Sequence, residues 1–404
     1  MTESFSQTTS LYFHIPFCAH RCAYCDFNTY AGQQDFIPAY VQALCNEIRE
    51  VGKTSIEDPQ IDTVFFGGGT PSLLSAMLYE KIFQSIHDNF HLLGEAEISL
   101  EANPGTCTHE NLSDLRSLGF NRISLGVQSA NPNELRLLER IHDYGDVVDA
   151  VKWSRQAGFG NLNLDLIYGL PEQTLSQWQN SLNLVLGVNP EHLSLYALTL
   201  EHGTPFGRWA DRGLLPIPDP DTAAEMYEWA GERLAQAGYE QYEISNWSKP
   251  GRQCRHNLQY WRNQTYLGFG AGAHGYAAGY RYSNVLHIKK YISRLTDSND
   301  EIHPFPLSSA TVNQHRNSAR EDMQETMMTA LRLTREGVST RMFAQRFNLT
   351  LTEAFGDEVE DLLRLELVEW VDESRAANGS DRRLRLTKRG RLLGNQVFMR
   401  FVGD

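Results

Sequence analysis

Basic residues are in the minority in this 404-residue sequence: 36 Lys and Arg stand against 50 Asp and Glu, a formal net charge of -14. A protein that tracks nucleic-acid phosphates needs a basic face, so nucleic acid is not an expected partner. Long apolar runs are missing as well. No stretch reaches the roughly eighteen residues that would span a bilayer, and the polar start MTESFSQTTS has neither the basic nor the apolar region of a secretory signal. The expected location is therefore the cytoplasm. Cysteine is sparse, and of its six residues three, Cys18, Cys22 and Cys25, fall within eight positions. Such clustering in a long cytosolic chain argues against a disulfide framework and for metal or redox chemistry. Disorder is excluded by 41% hydrophobic and 11% aromatic content, enough to bury one large core and a smaller second one.

Short β-rich runs recur at 11–15, 63–66, 97–101, 122–127, 161–167 and 192–200, each followed by a segment of helical periodicity. Strands alternating with helices imply a parallel sheet with right-handed crossovers. Phe36, Tyr40, Val41, Leu44, Ile48 and Val51, for example, share one face of a helix, and Cys45 on that face reads as a buried small hydrophobe, as does Cys107. Six such units make an α/β fold of the incomplete (β/α)6 barrel kind, open enough to admit a large ligand. An aromatic and glycine-rich extension follows at about 239–282. A polar linker or crossing loop is expected around 301–320, separating a domain of residues 1–300 from a small one at 321–404. Three helices at 321–333, 339–347 and 351–365, then strands at 368–371 and 383–386, give that second domain a winged-helix-like pattern. Acidic residues thread its helices, which again disfavours nucleic acid.

The spacing Cys18-x3-Cys22-x2-Cys25 directly follows the first expected strand. Three thiolates on one short loop can hold one face of a 4Fe-4S cube and leave its fourth iron without a protein ligand. A structural zinc site is the alternative. It asks for four ligands, commonly two paired Cys clips; only His20 is near enough to complete one, and no second clip follows.

With Tyr12-Phe-His-Ile-Pro16 ahead of the cysteines and Gly67-Gly-Gly-Thr-Pro71 one unit later, most of the chain resembles the radical S-adenosylmethionine (SAM) superfamily. Within it the similarity is to the branch holding oxygen-independent coproporphyrinogen III oxidase and the HemW-like heme chaperones. The resemblance implies a radical SAM barrel in which the open iron binds SAM through its amino and carboxylate groups. Functional groups of a parallel barrel gather at the carboxyl ends of its strands, where the glycine turn lets backbone approach a ligand. Glu101, Gln128 and Asp165 are polar residues of otherwise apolar strands and need partners. By resemblance Tyr12, Gly68, Gly69, Thr70, Glu101, Gln128, Arg140 and Asp165 bind SAM, and Tyr24 packs against its adenine.

The oxidases carry a fourth cysteine two places after the third, where this chain has Phe27, and a longer segment ahead of the first strand than the eleven residues before Tyr12. The resemblance therefore favours the chaperone group, with an oxidase or another radical SAM enzyme acting on a porphyrin-related substrate as the alternative; that group's His-Asn-x-x-Tyr-Trp motif stands here as His256-Asn257-Leu-Gln-Tyr260-Trp261. Imidazole is a common axial ligand of heme iron and aromatics suit a flat porphyrin, so His256 is the candidate heme residue and Cys254 a second candidate. Tyr239, Tyr242, Trp247, Tyr260, Trp261 and Tyr266 are expected to line an apolar slot. The implied partners are heme and heme-accepting proteins such as respiratory enzymes, with transient membrane association compatible with that role. Whether SAM is cleaved is left open by the residues.

Overall fold

A computed structural model describes residues 8–55, 59–297, 302–373 and 381–402. Residues 1–7, most of the polar start, the first position of the expected linker and the polar 374–380 inside the C-terminal hairpin lie outside the described residues. The chain divides into two compact units, one of residues 1–232 and 265–315, the other of 233–264 and 316–404.

The first unit contains the six expected parallel strands, β1 (Thr9–Ile15), β2 (Gln60–Gly68), β3 (His91–Ala102), β4 (Arg122–Gln128), β5 (Leu162–Tyr168) and β6 (His192–Ala197), side by side in chain order. A seventh parallel strand, Tyr266–Phe269, pairs with the outer edge of β1, and two antiparallel strands, His274–Ala277 and Tyr280–Asn284, extend it. The last barrel strand stops three residues short of expectation. Leu198 and Leu200 instead leave the sheet to pack against Ala23, Leu138 and Phe206, and Thr204 then caps the helix Pro205–Asp211. The polar stretch after 301 holds a turn at Pro304 to Leu307 and the strand Thr311–Arg316.

Alternation sorts the strand residues into two layers. Leu11, Phe13, Ile15, Val64, Phe66, Leu100, Ile123, Leu125, Leu164, Leu166, Leu193 and Leu195 form a buried apolar layer. The opposite face is polar, and the register aligns Tyr12, Phe65, Ser99 and Arg122 in one row and Glu101, Ser124, Asn163 and His192 in the next. Bulky aliphatic side chains fill closed (β/α)8 barrels; here hydrogen-bonding groups occupy the equivalent face.

The helix Ile37–Thr54 starts with proline in its first turn and buries Tyr40, Val41, Leu44, Cys45, Ile48 and Val51 as its periodicity demands. It also buries Glu47, which periodicity alone does not explain. Its Oε2 accepts from the Gly270 amide at 2.8 Å and the Tyr291 hydroxyl at 2.6 Å, its Oε1 from Asn284 Nδ2 at 2.6 Å and Ser308 Oγ at 3.0 Å. One carboxyl thus ties the helix to the antiparallel extension and to the polar crossing segment.

The second unit builds its core from Met327, Leu331, Phe343, Leu351, Phe355, Leu362, Leu384, Leu386 and Phe401. Its helices Ala319–Ala330, Thr340–Phe347 and Leu351–Arg364 precede the antiparallel pair Val368–Glu373 and Asp381–Leu386, joined by the short strand Val338–Ser339. Residues 233–264, grouped by sequence with the barrel's extension, cluster with this unit. No helix among the described residues is long and apolar enough to cross a membrane.

Burial pushes the Glu47 carboxyl up to about 7, against the pull of its four donors. The folded state therefore keeps a proton that an unfolded Glu releases near 4.5, so this contribution to stability is full below that pH and declines as pH rises toward 7. The stability margin of the unmodified protein over Glu47→Gln should shrink across that window by on the order of 3 kcal/mol. Urea midpoints of the pair at several pH values measure it, and a constant margin would contradict the protonated assignment.

Candidate functional site

The cysteine loop leaves the carboxyl end of β1, and its backbone is held from several sides. Phe206 N–H donates to the Ala23 carbonyl, Tyr30 N–H to the Pro16 carbonyl, and Gln34 Nε2 to the Cys18 carbonyl at 2.8 Å. His14 Nε2 lies 2.9 Å from the Asn28 carbonyl, while Asn28 Nδ2 donates to the carbonyls of Ala271 and Leu286. His14 and Asn28, neither singled out from the sequence, fasten the loop to the strand end. The period-two series Ser10, Tyr12, His14 in an apolar strand was the available signal.

None of the six cysteines is in a disulfide. Burial pushes the Cys18 and Cys25 thiols up, opposed by hydroxyls of Thr70 and Thr29 at Cys18 and by Phe27's backbone and Thr29 at Cys25. Metal binding would release those protons. Arg140 Nη1 donates to Cys22 Sγ at 3.5 Å and Nη2 to the Gly126 carbonyl at 2.6 Å. Burial works against this guanidinium's charge, but Tyr24 and Cys22 beside it hold its pKa above the ordinary value. Among the described residues no three His, Cys, Asp or Glu side chains are grouped to hold a single ion. A four-iron cube puts each sulfur on a separate iron and does not ask for that convergence, so three free thiols with donors on their sulfurs fit it. Cys45 and Cys107 are buried away from the loop's thiols, in keeping with packing roles.

The glycine turn has a packing reason that precedes any ligand. Gly68 sits at φ +112°, and a Cβ there would meet the His14 ring at 2.6 Å; one on Gly69 would meet the Phe17 and Ile15 carbonyl oxygens at 2.5 and 2.9 Å. The Gly68 amide donates to Glu101 Oε2 at 3.0 Å. Burial and neighbouring Asp165 push the Glu101 carboxyl up to about 7, with the Gly68 amide and Arg122 opposing.

Asp165 accepts from Ser124 Oγ at 3.0 Å and Asn163 Nδ2 at 2.7 Å. Asn163 also donates to Ser124, and its Oδ1 faces His192 Nδ1 at 2.6 Å and Ser194 Oγ at 3.2 Å. That network assigns the Nδ1-H tautomer to His192, which burial keeps neutral by lowering its pKa well below the usual value. Arg122, fully buried, adds the positive charge felt by Glu101, Asp165 and His192. Arg122 and His192 were missed by sequence reading, although they occupy the same polar face.

At the mouth of the barrel, a small solvent-open cleft is lined by His20, Cys22, Thr70, Asn103, Glu139 and Arg140. Gln128, at φ +64°, ends β4 beside it with Oε1 buried and lacking a hydrogen bond, as does Arg140 Nε. Orphaned buried polar atoms at a site's edge are where a polar ligand finds partners. Tyr12, whose hydroxyl lies 3.0 Å from His14 Nδ1, and Tyr24, packed near Phe206, complete a set of groups that fits a charged, hydrogen-bonding ligand such as SAM.

This chain matches the radical SAM superfamily over residues 12–185 and the HemN C-terminal domain over 317–393. The heme chaperone HemW of Bacillus subtilis (strain 168) is 38% identical over 397 residues, covering 98% of this chain and 99% of that one. The chain belongs to the HemW family of radical SAM proteins. Another family member, the heme chaperone HemW of Escherichia coli (strain K12), is 41% identical over 268 residues, 66% of this chain and 69% of its own. The E. coli coproporphyrinogen III oxidase HemN has the same fold, with a TM-score of 0.81 at 24% identity over 98% of this chain and 90% of that one. The HemW-family assignment and the fold thus agree with the motif reading.

The heme candidates stand differently. His256, in the second unit, is 1% exposed, with Nε2 2.8 Å from the Tyr260 hydroxyl. Cys254 is fully buried, and Tyr239, Tyr242 and Trp247 are core residues; Tyr266 belongs to the other unit. Within the second unit Tyr242 clusters with Leu258 and Leu333, and Trp261 packs against them.

Gly68→Ala should destabilise the protein by roughly 1–3 kcal/mol with no ligand present, from the positive φ and the His14 contact. Thermal melts without SAM measure this; an unchanged melting temperature would leave ligand approach as the sole reason for the glycine.

Proposed function

We propose that this protein is a cytoplasmic heme chaperone that carries a 4Fe-4S cluster on Cys18, Cys22 and Cys25, binds SAM, and passes heme to acceptor proteins such as respiratory enzymes. The observation that carries the reading is the end-to-end match to a heme chaperone of Bacillus subtilis, which the Phe27 position supports. Six cysteines without a disulfide among them suit a reducing compartment.

When bound, the cluster would supply a redox centre at which SAM could be held. Arg140 would orient Cys22 and set a fixed positive charge beside the cluster. Glu101 and Asp165 would accept hydrogen bonds from the cofactor's amino and hydroxyl groups, Gln128 would use its unspent carbonyl, and Tyr24 would cover the adenine. Thr70, Tyr12 and the Gly68–Gly69 backbone would complete the pocket. His256 of the second unit would hold heme through Nε2, the nitrogen that faces Tyr260.

Anaerobic reconstitution should give about four irons per chain for the unmodified protein and for Cys45→Ala, and no cluster absorbance for Cys18→Ala, Cys22→Ala or Cys25→Ala. Loss of the cluster in the Cys45 variant alone would overturn the ligand set. Gln128→Leu removes an atom without a partner in the fold, so SAM affinity should drop at least tenfold, about 1.4 kcal/mol, with melting unchanged; calorimetry decides.

Heme titration should show weaker binding or a shifted Soret band in His256→Ala, with the cluster retained, while a triple-cysteine variant still binds heme. Decarboxylation of coproporphyrinogen III in an anaerobic reaction would instead establish an oxidase and end the chaperone reading.

A further inference from the structure

Arg332 follows the helix Ala319–Ala330 in the second unit, and its guanidinium lies between two rings, Cζ being 5.2 Å from the Trp261 centroid and 4.6 Å from that of Phe398. Other arginines of this unit have carboxylate partners: Arg262 pairs with Glu336, Arg335 with Glu240 and Arg346 with Asp322. Arg332 differs. Among the described residues its guanidinium makes no hydrogen bond or ion pair, and the acid whose charge reaches it, Glu243, is engaged by Asn246 Nδ2 and the Ser245 amide. A second donor stands beside it, because Trp261 Nε1 is buried without an acceptor. Trp261 in turn packs against the apolar cluster of Tyr242, Leu258 and Leu333.

Two donors without an acceptor next to an apolar cluster call for an anionic group carried on a flat, greasy body. A guanidinium presents a planar fork that matches a carboxylate in two hydrogen bonds, and its partial desolvation strengthens them. We infer that Arg332 and the indole N–H of Trp261 form a carboxylate-binding subsite that takes a propionate of the porphyrin. This inference rests on the heme-carrying reading above, and the helix Arg255–Trp261 that supplies the indole also carries His256. Stacking alone would give Arg332 a structural role, which predicts a change in melting but no discrimination among porphyrins.

The test titrates full-length protein with heme and with heme dimethyl ester, whose propionates are blocked. The unmodified protein should favour the free acid at least tenfold. Arg332→Gln should erase that preference by weakening heme binding while leaving the diester affinity as it was; Arg332→Lys, charged but without the fork, should fall between, and Trp261→Phe should lose part of the preference. Should Arg332→Gln fail to fold, the Lys and Phe variants carry the same comparison. Equal affinity for acid and diester in the unmodified protein, or a preference that survives these substitutions, would overturn the subsite and leave heme binding standing. Binding of neither porphyrin would remove the heme reading and the subsite with it.

Discussion

The amide of Asn163 uses every hydrogen-bonding position it has. Its two N–H groups reach Ser124 and Asp165, and its carbonyl takes His192 and Ser194. On a polar sheet face out of water each buried donor or acceptor left over costs roughly 1–3 kcal/mol, and Asn163 leaves none. The network runs over three neighbouring strands and fixes the orientation of Asp165, and burial raises the pKa of Asp165 and Glu101 while the Arg122 charge opposes it. The apolar layer on the opposite face does the ordinary work of burial; the polar layer decides what the barrel can receive.

The same requirement explains why unsatisfied atoms are informative at the strand ends. Within the sheet the hydrogen-bonding capacity of Asn163 is consumed, whereas at the mouth Gln128 and Arg140 retain buried atoms without partners. The loop carrying the three cysteines is fixed to this mouth through its backbone by the Phe206 amide and the Gln34 side chain, and through its own Asn28 side chain. The thiols therefore sit on a braced loop, the arrangement that a positioned centre requires.

Much of this was legible in order along the chain. All six barrel strands and the three C-terminal helices were visible as alternation or as 3.6-residue periodicity, since burial on one face imposes those patterns directly. The cysteine spacing and the glycine turn were equally plain, though the turn's glycines answer first to His14 and to the Phe17 backbone. Glu47 was invisible because a carboxylate on an apolar helix face reads as an interruption until its donors are known. His256 was read as a heme residue on its motif alone; its burial and its contact with the Tyr260 hydroxyl appear only in the folded second unit.

By itself the sequence determined the properties that depend on residues near one another in the chain: strand and helix periods, the three-thiolate loop, the tight turn after the second strand, and through them the family. Tertiary structure decided which polar groups meet. The donors to Glu47 lie 223 to 261 residues away from it, and the stack of Arg332 between Trp261 and Phe398 unites two helices far apart in sequence. Such partners are chosen by packing and loop closure over the whole chain, so no local pattern specifies them, and the energetic meaning of a buried charge or an unpaired donor exists only once the chain has closed around it.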